Sequence, residues 1–232
     1  MGGDREMKRA VCLLSGGMDS AVATAIAKFR GYEIYPLTFQ YKQKNIRELD
    51  SAKKLVIYFK FRKHNIFNID LKQIGGSALT DRLEIPTGRT VDEIKRGEIP
   101  ITYVPARNTI FLSIALGYAE VLDADSIFIG ANYLDSSGYP DCRSEYMKKF
   151  QELANLATKR AVNGKLIEIE YPLINMGKAE IVKKGMELGV PFELTWSCYN
   201  DREKACGECD SCVLRLDGFK ENGYEDPLEY EK

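Results

Sequence analysis

Short apolar runs alternate along the chain with longer stretches in which apolar residues recur every three or four positions. The runs "RAVCLLS" (residues 9–15), "EIYPLTFQY" (33–41), "NIFNIDL" (65–71), "SIFIGAN" (126–132) and "KLIEIEYPL" (165–173) predict strands, being short, rich in β-branched and aromatic residues, and bounded by polar or turn residues. The longer spacing predicts helices over 19–29, 46–60, 107–122, 144–162 and 178–188, with a last one near 212–221. Residues 72–103, rich in Gly, Pro and Thr, predict irregular chain with a short helix around 91–96. Strands separated by helices of this length imply an α/β fold, a parallel twisted sheet with helices on both faces. Right-handed crossovers bring the carboxyl ends of such strands to one edge. The loops holding most of the unusual residues (15–20, 40–45, 74–105 and 132–143) each follow a strand and so share that rim. Residues 1–7 have the composition of a flexible leader, 8–190 carry the α/β pattern, and 191–232 form a small C-terminal segment dense in cysteine.

Charge and hydropathy remove some classes of function. Lys and Arg number 33 against 34 Asp and Glu, a net charge of −1, so nothing argues for a large nucleic-acid footprint. No apolar run approaches the roughly 20 residues of a membrane helix, and the start lacks a signal-peptide core. A cytoplasmic protein is expected.

Between the first strand and first helix lies Leu14-Ser15-Gly16-Gly17-Met18-Asp19-Ser20. Two glycines permit a tight turn and let backbone N–H groups approach a ligand. A helix beginning near Asp19 or Ser20 would aim its positive end at the same point, and the serines add hydroxyl donors. Such a loop suits pyrophosphate. A plain strand-to-helix turn with Asp19 or Ser20 as N-cap is the simpler reading of any glycine pair. The lysine of the G-x-x-x-x-G-K-[ST] loop and the third glycine of a dinucleotide fingerprint are both missing. The whole string, however, resembles the pyrophosphate loop of the ATP-pyrophosphatase superfamily, which splits ATP between its α and β phosphates.

Of the six cysteines, Cys12 falls in an apolar strand and Cys142 in a polar loop. Cys198, Cys206, Cys209 and Cys212 form C-x7-C-x2-C-x2-C, with Gly207 freeing the backbone for a knuckle. Structural zinc, an iron–sulfur cluster and a redox dithiol compete for this pattern. The C-x3-C-P ending of ferredoxin-type sites is absent, which favours one structural Zn2+ per chain stapling a segment poor in apolar material.

The strings "SGGMDSA", "VPARN", "IGANYLDSSGYPDCR", "YPLINMGKAEIV", "LGVPFELTWSCYN" and "CGECDSCVLR" together resemble the 7-cyano-7-deazaguanine synthase family, in that family's order from about residue 8 to the end. The resemblance implies an adenine nucleotide alpha hydrolase-like fold. It implies a carbon–nitrogen ligase that uses ATP and ammonia to turn 7-carboxy-7-deazaguanine into the 7-cyano compound, a precursor of queuosine and archaeosine. Residues 14–20 would then bind ATP with Mg2+, and Asp19, Arg107 and Lys178 would act on phosphate or carboxylate. Asp135, Tyr139, Asp141 and Arg143, with Ser137 beside them, would meet the purine-like base. A homodimer acting on small molecules, with no direct nucleic-acid partner, is the corresponding expectation. The family's Tyr-Gly-Gln-Arg-His string reads Tyr41-Lys42-Gln43-Lys44-Asn45 here, which excludes a histidine base in that loop. The one histidine, His64, precedes the third strand and is read as a surface residue. Another adenylating amidotransferase or thiolase of the superfamily, or a nucleotide-binding sensor without turnover, are the competing functions.

Overall fold

The computed structural model describes residues 7–41, 46–81, 83–96, 98–134 and 138–231. Five parallel strands, β1 (Arg9–Leu13), β2 (Glu33–Gln40), β3 (Asn65–Asn68), β4 (Ser126–Phe128) and β5 (Glu168–Glu170), lie in the order β3-β2-β1-β4-β5. The chain therefore builds outward from β1 in one direction and then returns to build in the other. The crevice at the carboxyl ends of β1 and β4, where the order reverses, is where open α/β sheets bind ligands.

Each predicted strand exists, but all pair over fewer residues than the apolar runs suggested. The run at 126–132 leaves the sheet after Phe128 because Gly130 passes against the start of the first helix. A Cβ on Gly130 would sit 2.8 Å from backbone atoms of Asp19 and Ser20. Apolarity there reflects burial beyond the ladder, which hydropathy cannot distinguish from pairing.

Helices α1 (Met18–Phe29), α2 (Arg47–Tyr58), α3 (Val91–Arg96), α4 (Arg107–Val121), α5 (Ser144–Ala157), α6 (Lys159–Val162), α7 (Lys178–Glu187) and α8 (Asp210–Glu221) complete the elements used below. Three differ from expectation. The N-cap of α1 is Gly17, in extended conformation, so neither Asp19 nor Ser20 caps it. The helix expected over 144–162 is two, because buried Thr158 adopts an extended backbone (φ −114°, ψ 141°) and its hydroxyl accepts the Ala161 N–H to start α6. The last helix begins at Asp210, inside the cysteine motif.

Successive β1 residues divide between two cores. Val11 and Leu13 join Leu37, Leu112, Leu116 and Met147 on one face. Ala10 and Cys12, with Leu14 just beyond the strand, join Ala21, Val22, Val182, Phe192 and Phe219 on the other. This period-two split, with cover on both faces, is the pattern of a buried parallel sheet. Small residues along α1 let it approach closely, and every residue from Met18 to Ala27 except Asp19 is buried. A third, smaller cluster surrounds Trp196 and the four C-terminal cysteines. It is braced by Arg215, fully buried, whose Nε donates to Asp226 Oδ2 at 2.7 Å while its other nitrogens donate to Thr195 Oγ1 and the Phe192 carbonyl. No helix among the described residues is long and apolar enough to cross a membrane.

Candidate active site at the strand-order switch

A cavity of about 250 Å³ opens at the carboxyl edge between β1 and β4. Its floor is the glycine loop. Gly16 has φ +101°, and a Cβ there would lie 2.0 Å from the Glu48 carbonyl oxygen, so the position admits only glycine without moving α2. Gly17 is different: its φ is −75° and its nearest neighbour to a Cβ is 3.4 Å away. The serines knit the turn. Ser15 N–H donates to Ser20 Oγ at 3.1 Å, Ser20 Oγ donates to the Gly17 carbonyl at 2.9 Å, and Gly17 N–H donates to Ser15 Oγ at 3.2 Å. The first-turn amides of α1 have no intrahelical acceptors and point toward the cavity end of the helix. Leu14 is fully buried and anchors the loop through its N–H on the Leu37 carbonyl.

Four charged side chains from different helices meet above this loop. Lys178, the first residue of α7, donates to both Asp19 oxygens, at 2.9 and 2.8 Å. Gly218 of α8 makes room for it, since a Cβ there would fall 2.9 Å from Lys178 Cγ. Arg107 opens α4 after Ala106, a non-glycine residue held left-handed at φ 52°, and its guanidinium reaches Tyr41. Burial disfavours the Arg107 charge, but Tyr41, Tyr139, Cys142 and Asp141 around it raise its proton affinity. Glu48, from the first turn of α2, completes the group and accepts a hydrogen bond from Ser15. Burial raises the Glu48 carboxyl above its usual range, with Arg107 and Ser15 opposing.

The loop before α5 divides its residues. Tyr139 is buried, lines the cavity, and shares hydrogen bonds with Thr102 and Tyr199. Cys142 lines it too, its thiol pushed up to about 12 by burial, which corrects the reading of a cysteine in a polar loop. Asp141 turns instead into the N-terminus of α4. Its Oδ2 accepts the Asn108 N–H at 2.9 Å, and burial raises its proton affinity. Arg143 is exposed, donates to the Pro140 carbonyl, and does not line the cavity. Asp135 and Ser137 lie outside the described residues, as do Lys42, Gln43, Lys44 and Asn45.

The opposite wall belongs to the cysteine segment. Trp196 N–H donates to the Gly16 carbonyl at 2.9 Å, and Ser197, Cys198, Tyr199 and Ser211 all line the cavity. The four sulfurs of Cys198, Cys206, Cys209 and Cys212 lie within 4.8 Å of one another and are all buried. A tetrahedral ion with bonds of about 2.3 Å needs sulfurs about 3.8 Å apart. Cys198 and Cys206 are 3.5 Å apart, and Cys206 and Cys212 4.0 Å. Amides of Asn200 and Cys206 point at Cys198 Sγ, and that of Cys209 at Cys206 Sγ, as charged thiolates require. Hydrogen bonds from Cys209 and Cys212 hold Cys198 far below the ordinary thiol range, while the same contacts raise those two. The donor set fits a metal ion.

Hydropathy singled out none of Glu48, Tyr41, Asn108 or Tyr199 as cavity residues. Glu48 shares its helix with Asp50, Lys53 and Lys54, and polarity alone does not separate the one that faces inward. His64 is also not a simple surface residue. It is half-buried, its Nε2 lies 2.8 Å from Thr38 Oγ1, and Thr38 hydrogen-bonds the Leu14 carbonyl at the root of the glycine loop.

Fold and cavity together define an α/β protein with a glycine loop at its strand-order switch, walled by four cysteines placed closely enough to hold a metal ion. The model of the family "Queuosine biosynthesis protein QueC" matches residues 9–223, and the chain belongs to that family. It is 55% identical over 225 residues to the 7-cyano-7-deazaguanine synthase of Acetivibrio thermocellus, covering 97% of this chain and 98% of that one. It is 54% identical over 228 residues to the enzyme of the same name from Picrophilus torridus, covering 97% and 92%. Among solved structures, NMN synthetase from Francisella tularensis superposes at a TM-score of 0.48 with 16% identity, over 95% of this chain and 79% of that one. That likeness is too loose to bear on function.

Proposed function

We propose that this chain is a carbon–nitrogen ligase that converts 7-carboxy-7-deazaguanine, ammonia and ATP into 7-cyano-7-deazaguanine, the precursor of queuosine and archaeosine. The observation that carries the reading is the loop Ser15–Ser20, knitted by its own serines and delivered with the Asp19–Lys178 pair to the strand-order switch, in a member of this family. A carboxylate is a poor electrophile until it gains a leaving group. Adenylation supplies one, and pyrophosphate departs into the loop, where backbone donors and the α1 terminus oppose its growing charge. Lys178 and Arg107 supply the positive charge that an anionic acid and a polyphosphate both require. Magnesium would arrive with the nucleotide, held mainly by phosphate oxygens, with Asp19 placed to orient its water. Tyr139 offers an aromatic wall to the base, and the loop carrying Asp135, Asp141 and Arg143 borders it.

Zinc is the ion best suited to four buried thiolates, and its part here is to hold Trp196–Tyr199 against the glycine loop. In this reading residues 8–190 form the catalytic domain and 191–232 a metal-stapled segment packed on it. Cytoplasmic action as a homodimer on small molecules, without nucleic acid, follows from the family resemblance. ATP–pyrophosphate exchange that depends on the deazaguanine acid, with mass spectrometry of the product, tests the proposal. Exchange with a different carboxylate would indicate another amidotransferase-type synthetase or a thiolase. ATP binding without exchange or nitrile would indicate a sensor.

A further inference from the structure

Making a nitrile from ammonia poses a proton problem that the phosphate machinery does not solve. Ammonia's lone pair forms a C–N bond at the adenylated carbon, the C–O bond to AMP breaks with its electrons, and one N–H proton must leave to give the amide. The amide oxygen then bonds the α-phosphorus of a second ATP, pyrophosphate departs, and a second N–H proton leaves. Finally the C–O bond breaks toward AMP, the last N–H proton is lost, and its electrons complete the triple bond. All three hydrogens of ammonia are removed, so the cavity needs a group that accepts protons near neutral pH.

The residues narrow the choice. The only histidine is engaged with Thr38 and does not line the cavity. Tyr41, Tyr139 and Tyr199 are protonated phenols that burial pushes further up, and the Cys142 thiol is held near 12. Two carboxylates line the cavity among the described residues, Asp19 and Glu48. Asp19 is committed through both oxygens to Lys178. Among the described residues Glu48 meets Arg107 and Ser15 and no lysine. It reaches in from the first turn of α2 beside Ser15, and among the described residues Arg107 from α4 and Tyr41, just after β2, are the titratable groups facing it.

We propose that Glu48 is the proton acceptor for the nitrogen steps, taking N–H protons as the amide forms and as it is dehydrated to the nitrile. The burial that raises its proton affinity fits that task, and Arg107 beside it favours the ionised form. The proposal rests on the function argued above and deepens it.

The test separates the carbon and nitrogen halves of the reaction. In Glu48→Gln, which keeps the size and a hydrogen-bonding oxygen for Ser15, nitrile formation from supplied 7-amido-7-deazaguanine and ATP should fall about 100-fold or more. Pyrophosphate exchange driven by the carboxylic acid should fall much less, by under about tenfold, since no N–H proton moves in that step. The rising limb of the pH profile for amide-to-nitrile conversion should vanish in Glu48→Gln and shift in Glu48→Asp. Retention of nitrile formation by Glu48→Gln overturns the assignment, as does loss of exchange as deep as loss of nitrile, which would put the carboxylate in the service of the phosphates. Should Glu48→Gln fail a melting check, an unshifted limb in Glu48→Asp overturns it equally. Absence of both exchange and nitrile formation in the unaltered protein would instead remove the underlying function.

Discussion

On one wall of the cavity the chain holds its shape with its own backbone; on the other, four buried cysteines stand close enough to hold an ion. The loop Ser15–Ser20 is tied by three short-range hydrogen bonds, wedged by Gly16 against α2, and carried by a strand and helix buried in the largest cores. The cysteine wall has a small apolar cluster, and four buried thiols there pack where carbon side chains would otherwise form a core. A metal ion bound by these sulfurs would displace their thiol protons to solvent and would give this wall its order. Yet the two walls are joined, by the backbone hydrogen bond from Trp196 N–H to the Gly16 carbonyl. In the proposed function a preformed anion site and an ion-dependent clamp would therefore act on the same ligand space, since both segments line one cavity.

Metal removal should produce the largest effect and bears on one side of this comparison only. Verified loss of the ion should cost several kcal/mol and lower the melting temperature by about 10 °C or more. Trp196 is the only tryptophan, donates its indole N–H to the Cys198 carbonyl and lies under Arg47, so its fluorescence should shift at the same time. Unchanged melting and emission would mean that side chains alone hold the wall. Next comes Asp19→Ala, which should reduce acid-dependent pyrophosphate exchange by about 10²–10³-fold while melting moves by only a few degrees. A large fall in melting would show that the Asp19–Lys178 pair stabilises the fold as well as the site.

The two glycines make a finer test of how tightly the loop is wedged. Gly16→Ala must clear a backbone oxygen from a left-handed position and should cost about 2–4 kcal/mol in chemical denaturation. Gly17→Ala, with an ordinary φ and room for a methyl, should change stability by less than about 1 kcal/mol. Equal costs would contradict the wedge. The smallest effect concerns His64, whose proton affinity is lowered first by burial and then by Lys53. Its folded pKa lies below the unfolded value of about 6.5, so the unfolded chain binds the extra proton as pH falls through that value. Stability is lost toward acid, and His64→Gln should flatten the melting-temperature profile between pH 7.5 and 5.5 (about one unit either side of that value). An unchanged slope would remove His64 from the account.

Much of this architecture is legible in the order of residues, and the failures share a cause. All five strands and the rim of strand-following loops could be read from local patterns, because strand and helix periods differ and are set by backbone geometry. Strand ends could not, since Gly130 and Leu14 are apolar or small for contacts made outside the ladder. In the turn at Pro140–Cys142 neighbouring residues part company, Tyr139 and Cys142 toward the cavity and Asp141 to the amide of Asn108. A string match names all of them together. Glu48 is not legible because its helix carries Asp50, Lys53 and Lys54 as well, and only the position of α2 against the glycine loop reveals which carboxylate turns inward.

By itself the sequence determined the parallel α/β class, the glycine turn after the first strand and the cysteine spacing, since each depends on residues close together in the chain. The tertiary structure alone decided that Asp19 meets Lys178 across 159 positions, that Glu48 and Arg107 share one cavity, and that Cys198 closes on Cys206 and Cys212 beside the loop. Those pairings depend on strand order and on which helix faces pack, and both are settled by long-range burial that no local pattern encodes.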